Sequence, residues 1–166
     1  MTTKQIISFD LGQTISDDPD LFKTLMIELQ ARNCEILINT ALDHSPCVPT
    51  RNRADFSRGR LFQLGVYEGI HYQHIATVAN PGGEATGKLK GAVIQEYGAV
   101  AHIDDQWDVL HGITSPNVRK VHYCSNPYAV SDWPHWMDLL LGRTPGCCAP
   151  FVGLKGRGIS WYSSVP

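Results

Sequence analysis

No stretch of this 166-residue chain approaches the roughly 18 consecutive apolar residues of a membrane-spanning helix, so no membrane partner is expected. The opening Met-Thr-Thr-Lys-Gln lacks the long apolar core of a secretory signal, and a cytoplasmic location is the expectation. Charge is also scarce. With 18% charged residues and a formal net charge of −2, no overall field of either sign drives the chain toward nucleic acid or an anionic membrane, and any contact with a polyanion must be local. Cysteine is present but unorganised: the 5 cysteines are an odd number, Cys147 and Cys148 are adjacent and cannot easily pair, and no zinc-type spacing occurs. They read as reduced thiols. His44, His71, His74, His102 and His111 lack the His-x-x-x-His spacing of a helical metal site and read as structural. There is no internal repeat and no low-complexity tract.

What is present suits one globular domain with one substantial core, since 43% of residues are hydrophobic. The apolar run Ile6-Ile7-Ser8-Phe9 ends at Asp10 and a polar, Gly-containing stretch follows, which predicts a buried strand ending in a carboxylate. Asp18-Pro19 supplies a capping side chain and a first-turn proline. Phe22, Leu25, Met26 and Leu29 then recur at helical spacing, giving a helix from about Pro19 to Arg32 that ends at Asn33. Glu35 to Thr40 reads as a second strand. A helix is expected from Arg51 to Leu64, with Phe56, Leu61, Phe62 and Leu64 in the core and Gly65 as its stop. Tyr72 to Val78 alternates as a third strand, Pro81-Gly82-Gly83 marks a loop, and Lys90 to Tyr97 reads as a short helix closed by Gly98.

Val100 to Ile103 runs into Asp104-Asp105 as a fourth strand, followed by a helical turn over Gln106 to Leu110 and a fifth strand from Lys120 to Cys124. Ser131 then caps a helix carrying Trp133, Trp136, Met137 and Leu140. The alternation predicts an α/β fold: a Rossmann-like three-layer sandwich around a central parallel sheet of about five strands. The core is expected over about 4–142, with 143–166 as a tail packed on it, in which Ile159 to Tyr162 could pair somewhere.

In open α/β sheets ligands bind beyond the carboxyl ends of the strands. Here those ends carry Asp10, Thr40, Asp104 and Asp105, with Lys90 nearby at a helix start. Carboxylates converging at one place repel one another unless a hard cation neutralises them, and Mg²⁺ takes a few carboxylates together with waters and phosphate oxygens. A lysine and a hydroxyl beside them would complete a cradle for a phosphoryl group.

Four segments, in order, resemble the motifs of the haloacid-dehalogenase-like (HAD) hydrolases. Asp10-Leu11-Gly12-Gln13-Thr14 is similar to the first, Ile36-Leu37-Ile38-Asn39-Thr40 to the second, Lys90 before Gly91-Ala92-Val93-Ile94 to the third with Lys88 as the alternative, and His102-Ile103-Asp104-Asp105 to the fourth. The resemblance spans about Ile6 to Tyr123. It implies a Mg²⁺-dependent phosphatase in which Asp10 attacks a phosphoryl group to form an aspartyl-phosphate that water then hydrolyses. Thr40 and Lys90 would hold the phosphate oxygens. Asp10, the Gly12 carbonyl, and Asp104 or Asp105 would bind the metal. Phe9 to Thr14 also resembles the phosphate loop of actin-like sugar kinases, but those folds need a β-hairpin next and a second similar domain, whereas a helix follows here and the chain is too short.

The chain departs from the HAD pattern at Gly12, where phosphatases of the family carry an acid/base aspartate two residues after the nucleophile. Loss of such a group costs on the order of 10² to 10⁴ in rate. Three explanations are open: the leaving group needs no proton, as in an acyl phosphate or anhydride; Gln13, Asp17 or Asp18 substitutes; or catalysis is lost. The last would leave a catalytically silent HAD-like module binding a phosphorylated ligand or protein partner. No room exists for a cap domain between the first helix and second strand, and only Ala79 to Leu89 follows the third, so the resemblance implies an open site suited to a large or presented substrate, or a cap borrowed from another subunit in a homo-oligomer. The arginines Arg51, Arg53, Arg58 and Arg60 are the support for a nucleotide or nucleic-acid end as substrate, against the alternative of a solvated helix face.

Overall fold

The structure is a computed structural model that describes residues 4–42, 53–124, 137–138, 140–142, 152–154 and 157–162. Ser131, Trp133, Trp136, Arg51 and His44 therefore lie outside the described residues. Five strands form a parallel sheet: β1 (Gln5–Phe9), β2 (Cys34–Leu42), β3 (His74–Ala79), β4 (Ala99–Asp104) and β5 (Arg119–Cys124). Two more, β6 (Val152–Leu154) and β7 (Arg157–Tyr162), extend it antiparallel, giving the order β3-β2-β1-β4-β5-β7-β6. The expected tail is thus sheet at its end: Ile159 to Tyr162 pair with β5 along its open edge, which a parallel strand would otherwise leave unsatisfied.

Helices cover both faces, as a parallel sheet requires. α1 (Pro19–Ala31) buries Phe22, Leu25, Met26 and Leu29 completely, at about 1.5–3 kcal/mol each relative to exposure. Asp18 caps it by accepting from the Leu21 N–H, and Asn33 ends it at φ +64. α2 (Arg53–Gln63) lies on the same face through Leu61. Phe56 and Phe62, expected in the core, are instead 49% and 68% exposed, because the helix turns Ser57 and Leu61 inward and carries its phenylalanines off that line. Met137, Leu140 and Leu141 complete this apolar layer.

The opposite face holds α3 (Gly83–Tyr97) and α4 (Trp107–Gly112) over a smaller cluster that includes Leu37, Ile94, Leu110 and Ile113. α3 begins well before the expected Lys90, so Lys90 lies inside the helix and not at its start. Two weak helix formers, Gly83 and Gly87, hid those first turns, and the Gly82 N–H is satisfied by the Thr86 hydroxyl. Among the described residues no cap domain is present: Arg32 and Asn33 alone separate α1 from β2, and Asn80 to Gly82 separate β3 from α3. Nor is any described helix long and apolar enough to cross a membrane.

The glycines of α3 are there for contact. A Cβ on Gly87 would lie 2.0 Å from the Val109 carbonyl oxygen, and one on Gly112 would lie 2.1 Å from that of Glu84, so the two helices touch backbone to backbone. Gly91, one turn on, would meet nothing closer than 3.5 Å. Gly87→Ala is therefore expected to lower the unfolding free energy by about 1–3 kcal/mol through overpacking. Gly91→Ala in the same helix is expected to be neutral or to raise it by up to about 1 kcal/mol. Urea melts of the two variants check both signs.

Candidate functional site

β1 is central, and the chain winds from it through β2 and β3 on one side and returns to β4 and β5 on the other. The reversal falls between β1 and β4, and a crevice opens at their carboxyl ends. Asp10 follows β1 directly, and its N–H donates to the Ile103 carbonyl at 2.8 Å, carrying the β1–β4 pairing one step past the strand. That bond sets Asp10 beside Asp104. The chain then leaves through a wide turn over Leu11–Ile15, with Gly12 at φ −70 and Gln13 in the left-handed region at φ +54. Leu11, Thr14 and Ile15 bury themselves to anchor this turn. The conformation of Gln13 costs about 1–2 kcal/mol in a non-glycine residue, and the Ser16 hydroxyl helps to hold it by accepting from the Gln13 N–H.

Lys90 is the centre of the site. Its ammonium donates to Asp10 Oδ1 and to Asp104 Oδ2, both at 2.6 Å, and all three side chains are at most 8% exposed. The opposite oxygen of Asp104 accepts from the Gln106 N–H at 2.9 Å. Asp105 accepts from the Thr14 hydroxyl at 3.2 Å. Behind Asp104 runs a buried chain in which His102 Nε2 lies 3.2 Å from Asp104 Oδ2 and His102 Nδ1 lies 2.9 Å from the Ser8 hydroxyl. A carboxylate can only accept, so Nε2 is the donor. Carboxylate oxygens of Asp10, Asp104 and Asp105 fall within 4.8 Å of one another, a spacing that could hold a metal ion.

The electrostatics follow from three carboxylates facing one ammonium. Burial pushes Asp10 up from its ordinary value more strongly than Lys90 pulls it down. For Asp104 burial also pushes up, but Lys90 and the His102 hydrogen bond outweigh it and hold the group well below the carboxylate range. Burial, with Asp10 and Asp104 adding repulsion, raises Asp105 to about 6. Lys90 is raised, because its two carboxylates outweigh the cost of burying its charge.

A cavity of about 250 Å³ opens over this centre. Of the residues expected in the site, Asp10, Gly12, Lys90 and Asp104 line it. Asp105 does not, though it stays within reach of Asp10 and Asp104. Thr40 is a correction. It is buried inside β2, which runs two residues further than expected, and the wall there is made by Ala41 and Leu42. A different threonine, Thr86 of α3, lines the cavity beside Asn80, to which its hydroxyl donates at 2.8 Å. Lys88, the alternative to Lys90, is exposed.

Several contributors escaped the sequence reading. His102 carried a usable signal, since it stands two residues before Asp104 and alternation puts both on one strand face, as it does Ser8 and Asp10. Ser8 and His102 are then cross-strand partners in the β1–β4 register, which no single sequence displays. Thr86, Asn80 and Arg60 come to the cavity from loops and helices whose relative placement is a tertiary result.

Lys90→Met would leave Asp10 and Asp104 buried without their cation. The expected loss of stability is about 3–5 kcal/mol at neutral pH, the usual cost of removing one partner from a buried pair. Chemical denaturation of the variant without divalent cation measures it, and a loss below about 1 kcal/mol would show that water or a shifted proton replaces the lysine at little cost.

No family model matches the chain, and no curated protein matches it either. Among solved structures, an uncharacterized protein from Corynebacterium glutamicum ATCC 13032 Kitasato is similar to it at a TM-score of 0.47 and 14% identity, over 73% of this chain and 85% of that one.

Proposed function

We propose that the protein is a Mg²⁺-dependent phosphohydrolase of HAD type, with Asp10 as nucleophile. The observation that carries this reading is the buried Asp10–Lys90–Asp104 bridge at the sheet's reversal point, open to a cavity on one side. A structural ion pair would have no need of the cavity.

The donor set fits a hard cation. Asp10, Asp104 and Asp105 offer oxygens, and burial, with repulsion from neighbouring carboxylates added, raises Asp10 and Asp105, a penalty that a bound cation would relieve. Asp10, Asp104 or Asp105, and the Gly12 carbonyl would hold Mg²⁺, which when bound supplies charge neutralisation at the transferring phosphoryl group. The chain's own residues do the rest. Lys90 holds Asp10 Oδ1 and so fixes the carboxylate, leaving Oδ2 on the Gly12 side as the attacking atom: a Cβ at position 12 would lie 3.6 Å from it. With Thr40 outside the cavity, the hydroxyl that lines it is that of Thr86, whose proton goes to Asn80 Oδ1 and would reach a phosphate oxygen only by exchanging that partner.

The geometry also narrows the explanations for Gly12. Asp17 accepts from the Tyr123 hydroxyl at 2.6 Å and Asp18 caps α1, and neither lines the cavity. Gln13 does line it, but an amide cannot serve as a proton donor and acceptor in turn. A leaving group that needs no proton is therefore favoured over a substitute acid. The second reading, a silent module that binds a phosphorylated ligand, keeps the same observation of Gly12 as its support.

Mg²⁺-dependent phosphate release should be measured across phosphomonoesters, acyl phosphates, nucleotides and end-phosphorylated oligonucleotides. Release is expected from acyl phosphates or anhydrides and is expected to vanish in Asp10→Asn. Gly12→Asp, whose backbone conformation and spacing accept a side chain, is expected to raise turnover of simple esters by about 10²-fold. Silence across the panel would favour the binding module.

Metal binding should depend on pH with a definite sign. Asp105, raised to about 6, keeps a proton in the folded metal-free chain that the unfolded chain has lost. Its contribution to stability is complete below the unfolded value and vanishes as pH rises through about 6. A divalent cation needs the ionised form, so the rise in melting temperature caused by Mg²⁺ is expected to grow over that window and to lose this pH dependence in Asp105→Asn. A Mg²⁺ effect that is flat in pH would remove Asp105 from the metal site.

A further inference from the structure

The cavity over Asp10, at about 250 Å³, falls short of the roughly 300–1,000 Å³ of a complete small-molecule site. A phosphoryl group and a metal ion would occupy much of it, so the remainder of any substrate must lie elsewhere. One residue shows the direction. Arg60 of α2 lines the cavity and also lines a shallow depression of about 410 Å³ with Phe56, Gly59 and Gln63. The two hollows share Arg60 as a common lining residue.

The other arginines of α2 are differently placed. Arg58 is held by Asp55 and Glu68, at 3.1 and 3.0 Å, and lines neither hollow. For Arg60 the described residues show no ion pair, and its side chain is exposed at the mouth of a site otherwise rich in carboxylate. Phe56, 49% exposed, stands one helical turn away on the same side of α2, where positions i and i+4 are neighbours. Gly59 between them leaves the floor open, since a Cβ there would meet nothing within 4 Å. A cation beside an exposed aromatic face suits a phosphate linked to a planar base.

We infer that the α2 depression receives the leaving half of a nucleoside phosphoanhydride, with Arg60 on the leaving phosphate and Phe56 against the base. This rests on the phosphohydrolase reading and names its substrate class. The bond that forms is Asp10 Oδ2 to the terminal phosphorus, and the bond that breaks joins that phosphorus to the bridging oxygen. The bridging oxygen leaves with the electron pair as part of a nucleoside phosphate, whose charge Arg60 stabilises, so no proton donor is needed at position 12. Water then attacks the phosphorus of the aspartyl-phosphate, releasing inorganic phosphate and restoring the Asp10 carboxylate, with one proton passing to solvent. An ester would instead expel an alkoxide, which a guanidinium suits less well than a proton donor would.

The test uses binding, so that it does not depend on turnover. Dissociation constants for ADP, AMP and adenosine are measured by calorimetry in Mg²⁺ on Asp10→Asn protein, on the same protein carrying Arg60→Ala, and on the same protein carrying Phe56→Ala. AMP is expected to bind about tenfold or more tightly than adenosine, the worth of one charge-assisted contact, and Arg60→Ala is expected to abolish that preference. Phe56→Ala is expected to weaken both nucleotides alike and to leave inorganic pyrophosphate unchanged. Absence of ADP binding, or a preference for AMP over adenosine that survives Arg60→Ala, overturns the assignment; Arg60→Lys, which keeps the charge, guards against loss of fold by retaining part of the preference. Phosphate release from ADP by the unmodified protein is scored separately. Binding as expected without release would sink the hydrolase reading and leave the subsite standing, whereas release with an unaltered Arg60→Ala preference would do the reverse.

Discussion

A single buried ammonium holds the carboxyl end of this sheet together. Lys90 reaches from α3 to the ends of β1 and β4 and bonds two carboxylates at 2.6 Å, in a place where neither carboxylate could stay ionised alone. The helix that carries it is fixed in turn by contact with α4 at Gly87 and Gly112, where no side chain separates the backbones. Asn39 of β2 adds a bond from its amide to the Lys90 carbonyl at 3.0 Å. Sheet, helix and site are therefore coupled: a shift of α3 by a fraction of an ångström would pull the ammonium from one aspartate or press it on the other.

This coupling explains why the two faces of the sheet differ so much. The α1 face is an apolar layer of Ile7, Phe9, Ile36, Ile38 and Ile103 with the helix side chains above them. On the α3 face the same strands present Ser8, Asn39, His102 and Asp104, all buried. Burying those groups forfeits hydrophobic stabilisation, which is offset by the bonds of His102 to Ser8 and Asp104 and of the Asn39 amide to the Lys90 carbonyl, while Asn39 Oδ1 stays unpaired. The first face holds the fold. The second gives up part of that stability to aim polar groups at the cavity.

That asymmetry also governs how much the sequence could disclose. Strand positions and the order of carboxylate-bearing strand ends were legible because they depend on local runs: Ile6 to Phe9 before Asp10, and Val100 to Ile103 before Asp104. The site centre was legible to the extent that Asp10, Lys90 and Asp104 sit at such ends or at a recognisable offset from them. Thr40 misled because a strand's end is set by what it pairs with, and β2 continues alongside β3 as far as Leu42 and Ala79. The start of α3 was masked by glycines whose purpose is a helix contact 25 residues further along the chain, between Gly87 and Gly112. The strand β6 was hidden, and β7 was legible only as a segment that could pair somewhere, for a like reason, since their pairing partners are β5 and each other. Arg60 was legible only as one of a run of arginines and Thr86 not at all, because their meaning lies in the cavity that tertiary structure closes around them.

The absence of a side chain at Gly12 is best understood together with the cation at Arg60. An acid/base carboxylate there would add a further negative charge to a centre that already presses Asp105 up to about 6, and would do so within contact distance of Asp10 Oδ2. The chain avoids that repulsion by omitting the group and has Arg60 among the residues that line the same cavity. On the proposed function, such an arrangement would give up proton delivery and gain electrostatic complementarity to an anionic leaving group, a trade that would favour substrates whose leaving groups are already stable as anions. The same charge balance would serve a silent binding module only in part. Complementarity to a bound anion accounts for Arg60, but it gives no reason to hold Asp10 by one oxygen with the other turned toward the space above Gly12.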